Sequence, residues 1–352
     1  MSNAKNHRHS EQSEGSALPM DIRTALKLGI ARLRAASVPS DTLAAELLLL
    51  HATGRNRTSL YSHPEDPLTE AELQTYFRML EQRAAGVPTQ HLTGKQEFWG
   101  MEFEVTPDVL IPRPETEHLI EVALDRLALR DLRRLHKQNM TGEGLLFADV
   151  GTGSCCIACA LAKEFPAAEI YAFDISPAAL AVAQRNATRL GFSDRIQFRQ
   201  CNLLSSPETQ STAPQLSSRR SAETRQPPVA NHRSRPFDLI ASNPPYIGRR
   251  ETATLAREVR DHEPGLALYG GEEGYELYAD LIAHSATHLR QGGILVLELG
   301  HNSLPAVQPL LDSPHWTNIG MTNDLAGIPR VLSAERTPHG LSPNASRAGG
   351  EQ

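Results

Sequence analysis

The residues with the most definite chemical potential are Asn243, Pro244, Pro245 and Tyr246, which follow the apolar run Phe237-Asp238-Leu239-Ile240-Ala241-Ser242 without a break. A planar NH2 nitrogen, in an amide or an aromatic amine, has its lone pair delocalised into a π system and is a poor nucleophile. Acceptors that hold its two hydrogens relieve this, and the Asn243 side-chain oxygen and the Pro244 carbonyl are such acceptors. Two prolines fix φ and stiffen the turn, so the acceptors are set before a substrate arrives. Tyr246 offers a ring to stack on the planar group. Orientation of this kind supplies about 7 kcal/mol or more in favourable model systems, with no strong general base. The bland alternative is a Pro-rich turn after a strand.

A second constellation lies upstream. The apolar run Leu145-Leu146-Phe147-Ala148 ends in Asp149-Val150-Gly151-Thr152-Gly153-Ser154, and a helical pattern follows at once. Glycines there let the backbone turn tightly and approach a ligand with no Cβ in the way. The next apolar run, Ile170 to Phe173, ends in Asp174, whose carboxylate suits the two ribose hydroxyls of a nucleoside. A third ends at Gln200-Cys201-Asn202-Leu203-Leu204, where Asn202 would bond an exocyclic amine and Leu203 would pack on the adenine. Nicotinamide dinucleotides and S-adenosyl-L-methionine both fit this outline. The third glycine of the dinucleotide fingerprint is replaced by Cys156, which favours a single nucleoside bearing a sulfonium.

Elements that place these residues can be read from periodicity. Residues 18–93 carry apolar residues at helical spacing, as in Ala25-Leu26-Gly29-Ile30-Leu33, with Asp41 as a cap and Thr69 with Glu72 as a capping box. Residues 94–112 alternate around Gly100 as a hairpin linker. From 113 to 335, strand and helix patterns alternate: Leu145–Val150, Ser154–Glu164, Glu169–Asp174, Pro177–Leu190, Ile196–Gln200, Phe237–Ser242, Tyr275–Leu289 and Gly293–Leu299. That order predicts an α/β, doubly wound, mostly parallel sheet. An insertion at 205–236, rich in Ser, Pro, Gln and Arg, and the tails 1–17 and 336–352 have the composition of disorder. The insertion's arginines, Arg219 to Arg235, read as solvated or as contacts for RNA or an acidic partner.

Composition narrows the function. The 352 residues carry a net charge of -6, against the basic excess of a duplex-binding surface, so no DNA partner is expected. No run approaches the length of a membrane span or a signal peptide, which leads to a cytoplasmic expectation. Of the four cysteines, Cys155, Cys156 and Cys159 crowd one helix start without a matched second pair, so core packing is expected and a metal is not. Glu298, within an apolar strand, needs a structural partner. Arg113 reads equally as a ligand contact or as a clamp between hairpin and domain.

Taken together, the motifs resemble the class I methyltransferases that use S-adenosyl-L-methionine, and more closely the HemK-type protein-glutamine methyltransferases that modify class I peptide chain release factors. The likeness spans about 17–333. It rests on Leu110-Ile111-Pro112-Arg113-Pro114-Glu115-Thr116-Glu117, Asp149 to Ser154, Asn243 to Tyr246, Glu263-Pro264, Leu268-Tyr269-Gly270-Gly271 with Gly274, and Asp324 to Gly327 with Arg330. The resemblance implies a Rossmann-like, seven-stranded, mostly parallel sheet behind a small all-α domain that helps to grip the substrate. It also implies methylation of the glutamine side-chain nitrogen in the Gly-Gly-Gln motif, by a monomer. Carried over, Gly151, Thr152, Gly153, Ser154, Cys155, Asp174, Asn202, Leu203 and Asn243 map to the cofactor. Asn243, Pro244, Pro245, Tyr246 and Arg113 map to the substrate, with Asn243, Pro244 and Tyr246 catalytic.

Two positions depart from the family: Cys155 where glycine is usual, and Asn202 where an acid is usual. A left-handed φ at Cys155 would cost on the order of 1 kcal/mol. Two rival readings follow: an adenine-N6 nucleic-acid methyltransferase, which presents the same NH2 on a planar ring, and a non-catalytic binding protein that keeps the fold.

Overall fold

The computed structural model describes residues 20–133, 141–205 and 235–338. The expected disordered tails at 1–17 and 336–352 and the insertion at 205–236 lie almost wholly outside these. Where the description resumes, Arg235 is exposed, pairs with the exposed Glu169 at 3.4 Å and donates to the Gly144 carbonyl.

Contacts divide the chain after Thr93. The first unit holds helices α1 (Ile22–Ala35), α2 (Asp41–Thr53), α3 (Arg57–Ser62), α4 (Glu70–Ala84) and α5 (Thr89–Thr93). On α1 the buried residues Ile22, Ala25, Gly29 and Leu33 recur every three or four positions, and this stripe meets Ala45, Leu48, Leu49, Tyr76 and Leu80 of α2 and α4. The Thr69–Glu72 capping box starts α4 as the sequence predicts. The cap at Asp41 does not form. Ser40 is the N-cap, in a left-handed conformation with no side-chain bond, because the Asp41 carboxylate is taken by Arg34 at 2.8 Å.

In the second unit, strands β1 (Lys95–Phe98) and β2 (Met101–Glu104) pair antiparallel. Trp99 and Gly100 join them with φ of 53° and 66°, the signature of a two-residue type I′ turn. Trp99 Nε1 donates to Glu164 at 2.7 Å, which fastens the hairpin tip. At its base the buried Asn186 accepts from the Glu104 amide at 2.8 Å and donates to the carbonyls of Glu104 and Ser154. One carboxamide thus ties the hairpin to the glycine turn.

The chain continues through α6 (Glu117–Arg133), β3 (Leu146–Val150), α7 (Cys156–Glu164), β4 (Glu169–Asp174), α8 (Pro177–Leu190), β5 (Ile196–Gln200) and β6 (Phe237–Ser242). After β6 come the short β7 (Ile247–Gly248), α9 (Arg257–His262), α10 (Gly265–Leu268) and β8 (Tyr269–Gly271). The last elements are α11 (Glu276–His288), β9 (Leu289–Glu298), α12 (Leu304–Val307), β10 (Trp316–Asn323) and β11 (Pro329–Arg336). Seven strands form one sheet in the order β10-β11-β9-β6-β3-β4-β5, parallel from β9 to β5, with β11 antiparallel to both its neighbours.

Apolar cores cover both faces, one built on α6, α7 and α8 and the other on α11 and the segment after β9. The one carboxylate inside β6, Asp238, is satisfied by Arg130 at 3.4 Å, by Arg290 and by the Leu146 amide at 3.0 Å. Several elements carry no clear period in the sequence, α6, β10 and β11 among them. Helix α6 packs on β9 and β11, where Arg126 donates to Ser333 at 3.0 Å. Strand β10 breaks register with β11 at two places and is mostly solvent-facing, so its alternation is blurred. β11 runs through Arg336, whose Nε donates to the Ala286 carbonyl at 2.8 Å, so order extends past 335.

Candidate active site

Because β3, β4, β5 and β6 are parallel neighbours, their carboxyl ends fall on one edge of the sheet, where open α/β folds bind ligands. A cavity of about 270 Å³ lies there. Its walls include Gly151, Thr152, Gly153, Ser154, Asp174, Asn202, Leu203, Asn243, Pro244, Pro245 and Arg113, so the structure brings most of the residues singled out in the sequence to one place.

The glycine turn leaves β3 with φ of 75° at Gly151 and 52° at Gly153, values open to glycine at little cost. The Gly151 and Thr152 amides both donate to the Phe173 carbonyl, at 2.8 and 2.9 Å, and the Gly153 amide donates to the Asp174 carboxylate at 2.9 Å. The turn is thereby stitched to the end of β4. Beneath it the fully buried Asp149 accepts from the Thr152 hydroxyl at 2.6 Å and the Ala158 amide at 3.1 Å. Burial pushes the Asp149 carboxyl up to about 7, against the pull of those two bonds.

Asp174 accepts one backbone amide on each oxygen, from Gly153 and from Ser176 at 2.9 Å. Each oxygen keeps a further lone pair for a ribose hydroxyl. Burial raises this carboxyl as well, with the amides opposing. The donor set, the open glycine turn and the flanking apolar side chains fit a nucleoside cofactor. Ile175 and Phe173 also line the cavity, and Ile175 is 46 % exposed directly after the acid. The sequence signal for Ile175 is an apolar residue directly after a strand-end acid. Cys201, also in the wall, is pushed up to about 11 by burial, so its thiol stays protonated.

Cys155 departs from expectation. It adopts φ 72° at the N-cap of α7, is fully buried and is not part of the cavity wall; its neighbours Ser154 and Cys156 are. All three clustered cysteines are buried and free, as core residues.

The tetrapeptide is held by glycines. A Cβ on Gly270 would come closer to the Pro245 carbonyl oxygen than the 3.0 Å that real contacts essentially never show, and one on Gly274 would meet the Tyr246 carbonyl oxygen in the same way. The Tyr269-Gly270-Gly271 segment therefore lies directly on the backbone of the turn. Asn243 donates from Nδ2 to the Thr116 hydroxyl at 3.1 Å, while its Oδ1 has no hydrogen-bond partner.

Tyr246 does not face the cavity as a stacking ring would. It packs over Gly300 and its hydroxyl donates to Glu298 at 3.3 Å. Glu298 is the buried strand acid; its Oε1 has this one partner while its Oε2 has none, and burial raises the carboxyl to about 7. Arg113 meets both of its readings, since it lines the cavity and forms an ion pair with the buried Glu263, which also accepts from the Ile111 amide at 3.3 Å. Thr116 and Glu263, within the Leu110–Glu117 and Glu263–Pro264 motifs, bond Asn243 and Arg113 respectively, which their local sequence does not signal. His301 is exposed beyond the end of β9. Among the described residues, His63, Glu65 and Asp66 are the one group with metal-ligand proximity; they lie far along the chain from this site, and Asp66 is paired with Arg55 at 3.4 Å.

Comparison with known proteins agrees with this geometry. Residues 24–94 match the PrmC N-terminal domain and residues 142–244 match a methyltransferase domain. A release factor glutamine methyltransferase from Koribacter versatilis is 41 % identical over 89 % of this chain and 98 % of its own. Proteins of the same name from Chlorobaculum tepidum and Bradyrhizobium diazoefficiens are 38 % and 35 % identical, over 88 % and 90 % of this chain and 95 % of each of theirs. The seven-stranded sheet is that of a class I methyltransferase, whose cofactor is S-adenosyl-L-methionine. On sequence likeness along nearly its whole length, the chain belongs to the release factor glutamine methyltransferase family.

Proposed function

We propose that this enzyme transfers the methyl group of S-adenosyl-L-methionine to the side-chain amide nitrogen of the glutamine in the Gly-Gly-Gln motif of class I peptide chain release factors. The observation that carries the reading is Asn243: it lines the cavity beside the glycine turn and keeps its Oδ1 without a partner. An orphaned acceptor on a residue of the cavity wall is expected to meet a donor that arrives with the substrate.

The cofactor supplies a methyl carbon made electrophilic by a sulfonium. Gly151 to Ser154, Asp174, Asn202 and Leu203 would hold it, Asp174 through the ribose and Leu203 against the adenine. Asn243 Oδ1 and the Pro244 carbonyl would each accept one hydrogen of the substrate NH2, drawing the nitrogen lone pair toward the methyl carbon. As the new C–N bond forms and the C–S bond breaks, one of those hydrogens becomes acidic and leaves to solvent. Fixed acceptors need no rearrangement during this step, which is where their advantage lies. Arg113 would border the substrate while bound to Glu263, and Pro245 would form the wall beyond it.

The helical unit would add grip on the release factor, the protein would act as a monomer without DNA, and translation as the setting places it in the cytoplasm. No helix among the described residues is long and apolar enough to cross a membrane. The test is incubation with labelled cofactor and either a release factor or DNA, read by mass spectrometry. Label on the glutamine is expected; label on adenine would overturn the proposal. Asn243→Ala should lower kcat by about 10²-fold or more, the scale seen when an oriented polar group is removed, with cofactor affinity nearly unchanged by calorimetry. Equal loss of both would speak against the acceptor role.

A further inference from the structure

Among the described residues, the two most exposed large apolar side chains are Leu325, 98 % exposed, and Leu266, 61 % exposed. A lone leucine at a surface asks for no explanation, but the placing of these two does. Leu266, on α10, stands in the cavity wall. Leu325 lies outside that wall, in the turn between β10 and β11. Because β11 runs antiparallel to β9 and β9 parallel to β6, this turn falls on the same edge of the sheet as Asn243. Only β9 separates β11 from β6, and two strand spacings amount to about 10 Å.

The turn is closely tied. Asp324 Oδ1 accepts from the amides of Ala326 and Ile328 at 2.9 and 3.0 Å, Oδ2 binds Arg330 at 3.1 Å, and the Asp324 amide donates to the Ile328 carbonyl at 2.8 Å. Gly327 closes the turn, its amide donating to the Asp324 carbonyl at 2.9 Å with a φ of 79° that suits glycine. Arg330 fastens it inward: Nη1 donates to the Leu299 carbonyl at 3.1 Å, and the Leu299 amide donates to the Arg330 carbonyl at 2.7 Å. The next residue, Gly300, is the one over which Tyr246 packs, so the turn is coupled to the tetrapeptide. The Asp324–Arg330 pair is largely buried while the leucine beside it stands in water. An apolar group already ordered by folding binds a partner with little further entropic cost.

The substrate calls for such a contact. The two glycines before the target glutamine have no side chains, so the motif presents mainly backbone, and selectivity for one protein must come from contacts outside it. We propose that the 324–328 turn is a docking contact for the release factor: Leu325 inserts among apolar side chains of the polypeptide that flanks the Gly-Gly-Gln loop, and Leu266 continues that contact to the cavity. This docking role rests on the function proposed above and adds the surface by which the substrate is held.

The test is steady-state methylation of an intact release factor by the full chain, as wild type and with Leu325→Ala, Leu325→Asp or Leu325→Met. Leu325 is almost wholly in solvent, so all three variants should melt with the wild type. Lost burial of one leucine corresponds to about tenfold in affinity. KM for the release factor should rise by about that factor in Leu325→Ala and further in Leu325→Asp, with kcat and calorimetric cofactor affinity unchanged. Leu325→Met keeps the apolar bulk and should restore most of the KM. A photoactivatable crosslinker attached to Leu325→Cys should label the release factor on the polypeptide beside the target glutamine. A wild-type KM in Leu325→Asp, no recovery in Leu325→Met, a loss confined to kcat, or crosslinks only to a second copy of this chain would each overturn the docking role. The two levels separate cleanly. If the wild type leaves the release factor unlabelled, the proposed function and the docking role fall together; if it labels the glutamine and the Leu325 variants keep the wild-type KM, only the docking role falls.

Discussion

Cys155 carries the clearest cost at the level of single residues. Its φ of 72° is a left-handed value, and its side chain is fully buried at the N-terminus of α7. A non-glycine residue there gives up about 1 kcal/mol or more. Its packing against the surrounding core offsets that cost. A β-branched side chain has no such escape. Cys155→Val is expected to lose about 2 kcal/mol or more, while Cys155→Gly stays within about 1 kcal/mol of wild type as relieved strain and lost packing oppose. Urea unfolding measures both, and a Cys155→Val protein as stable as wild type contradicts the strain. Asn243 sits at the same scale and opposite in kind: it contributes an unused acceptor at the site, and its removal is felt in turnover before stability.

Among the elements, the short strands β7 and β8 matter more than their length suggests. They pair in parallel and bring Gly270 against the Pro245 carbonyl and Gly274 against that of Tyr246. A methyl group on Gly270 has backbone on both sides and no flexible side chain to displace. Gly270→Ala should therefore shift the tetrapeptide, and a displacement near 1 Å costs about 10²-fold in rate. The predicted pattern is a collapse of kcat with cofactor affinity little altered. A variant that keeps both intact would mean that β8 does not set the position of the turn. The β10–β11 hairpin acts at longer range: Asp324 accepts from the amides of Ala326 and Ile328 and binds Arg330, which donates to the Leu299 carbonyl at 3.1 Å beside Glu298.

For the whole molecule the buried acids determine how stability responds to pH. Asp149 and Glu298 are raised by burial from 3.8 and 4.5 to about 7, and Asp174 is raised too. The folded chain therefore holds protons that the unfolded chain has released above about pH 4.5. The stability linked to these groups is complete at low pH and is lost as pH rises through about 7. Carboxylates lowered by their partners, such as Glu46, Glu104 and Asp324, act in the opposite sense, but below pH 4.5. The unliganded protein should accordingly melt at least about 3 °C lower at pH 8 than at pH 5.5. A melting temperature that climbs across this window would show that these acids are ionised at little cost in the fold.

The sequence by itself determined the sheet's parallel half and the identity of the cavity. Strands β4 and β6 and helix α8 begin and end where their apolar periods do, because a strand buried on both faces or an amphipathic helix leaves a local signature. The glycine turn, Asp174 and Asn243 were legible for a related reason, since each stands at the end of such a run. Helix α6, the irregular β10 and the outward extension to Arg336 were not, because their stability comes from partners distant in the chain. Tertiary structure alone decided that Tyr246 turns to Glu298, that Cys155 is left-handed and out of the wall, and that Arg113 is tied to Glu263. It also decided which end of the Asn243 amide is left over. The Nδ2 end is bonded to Thr116, 127 residues away, and no local pattern around residue 243 encodes that contact.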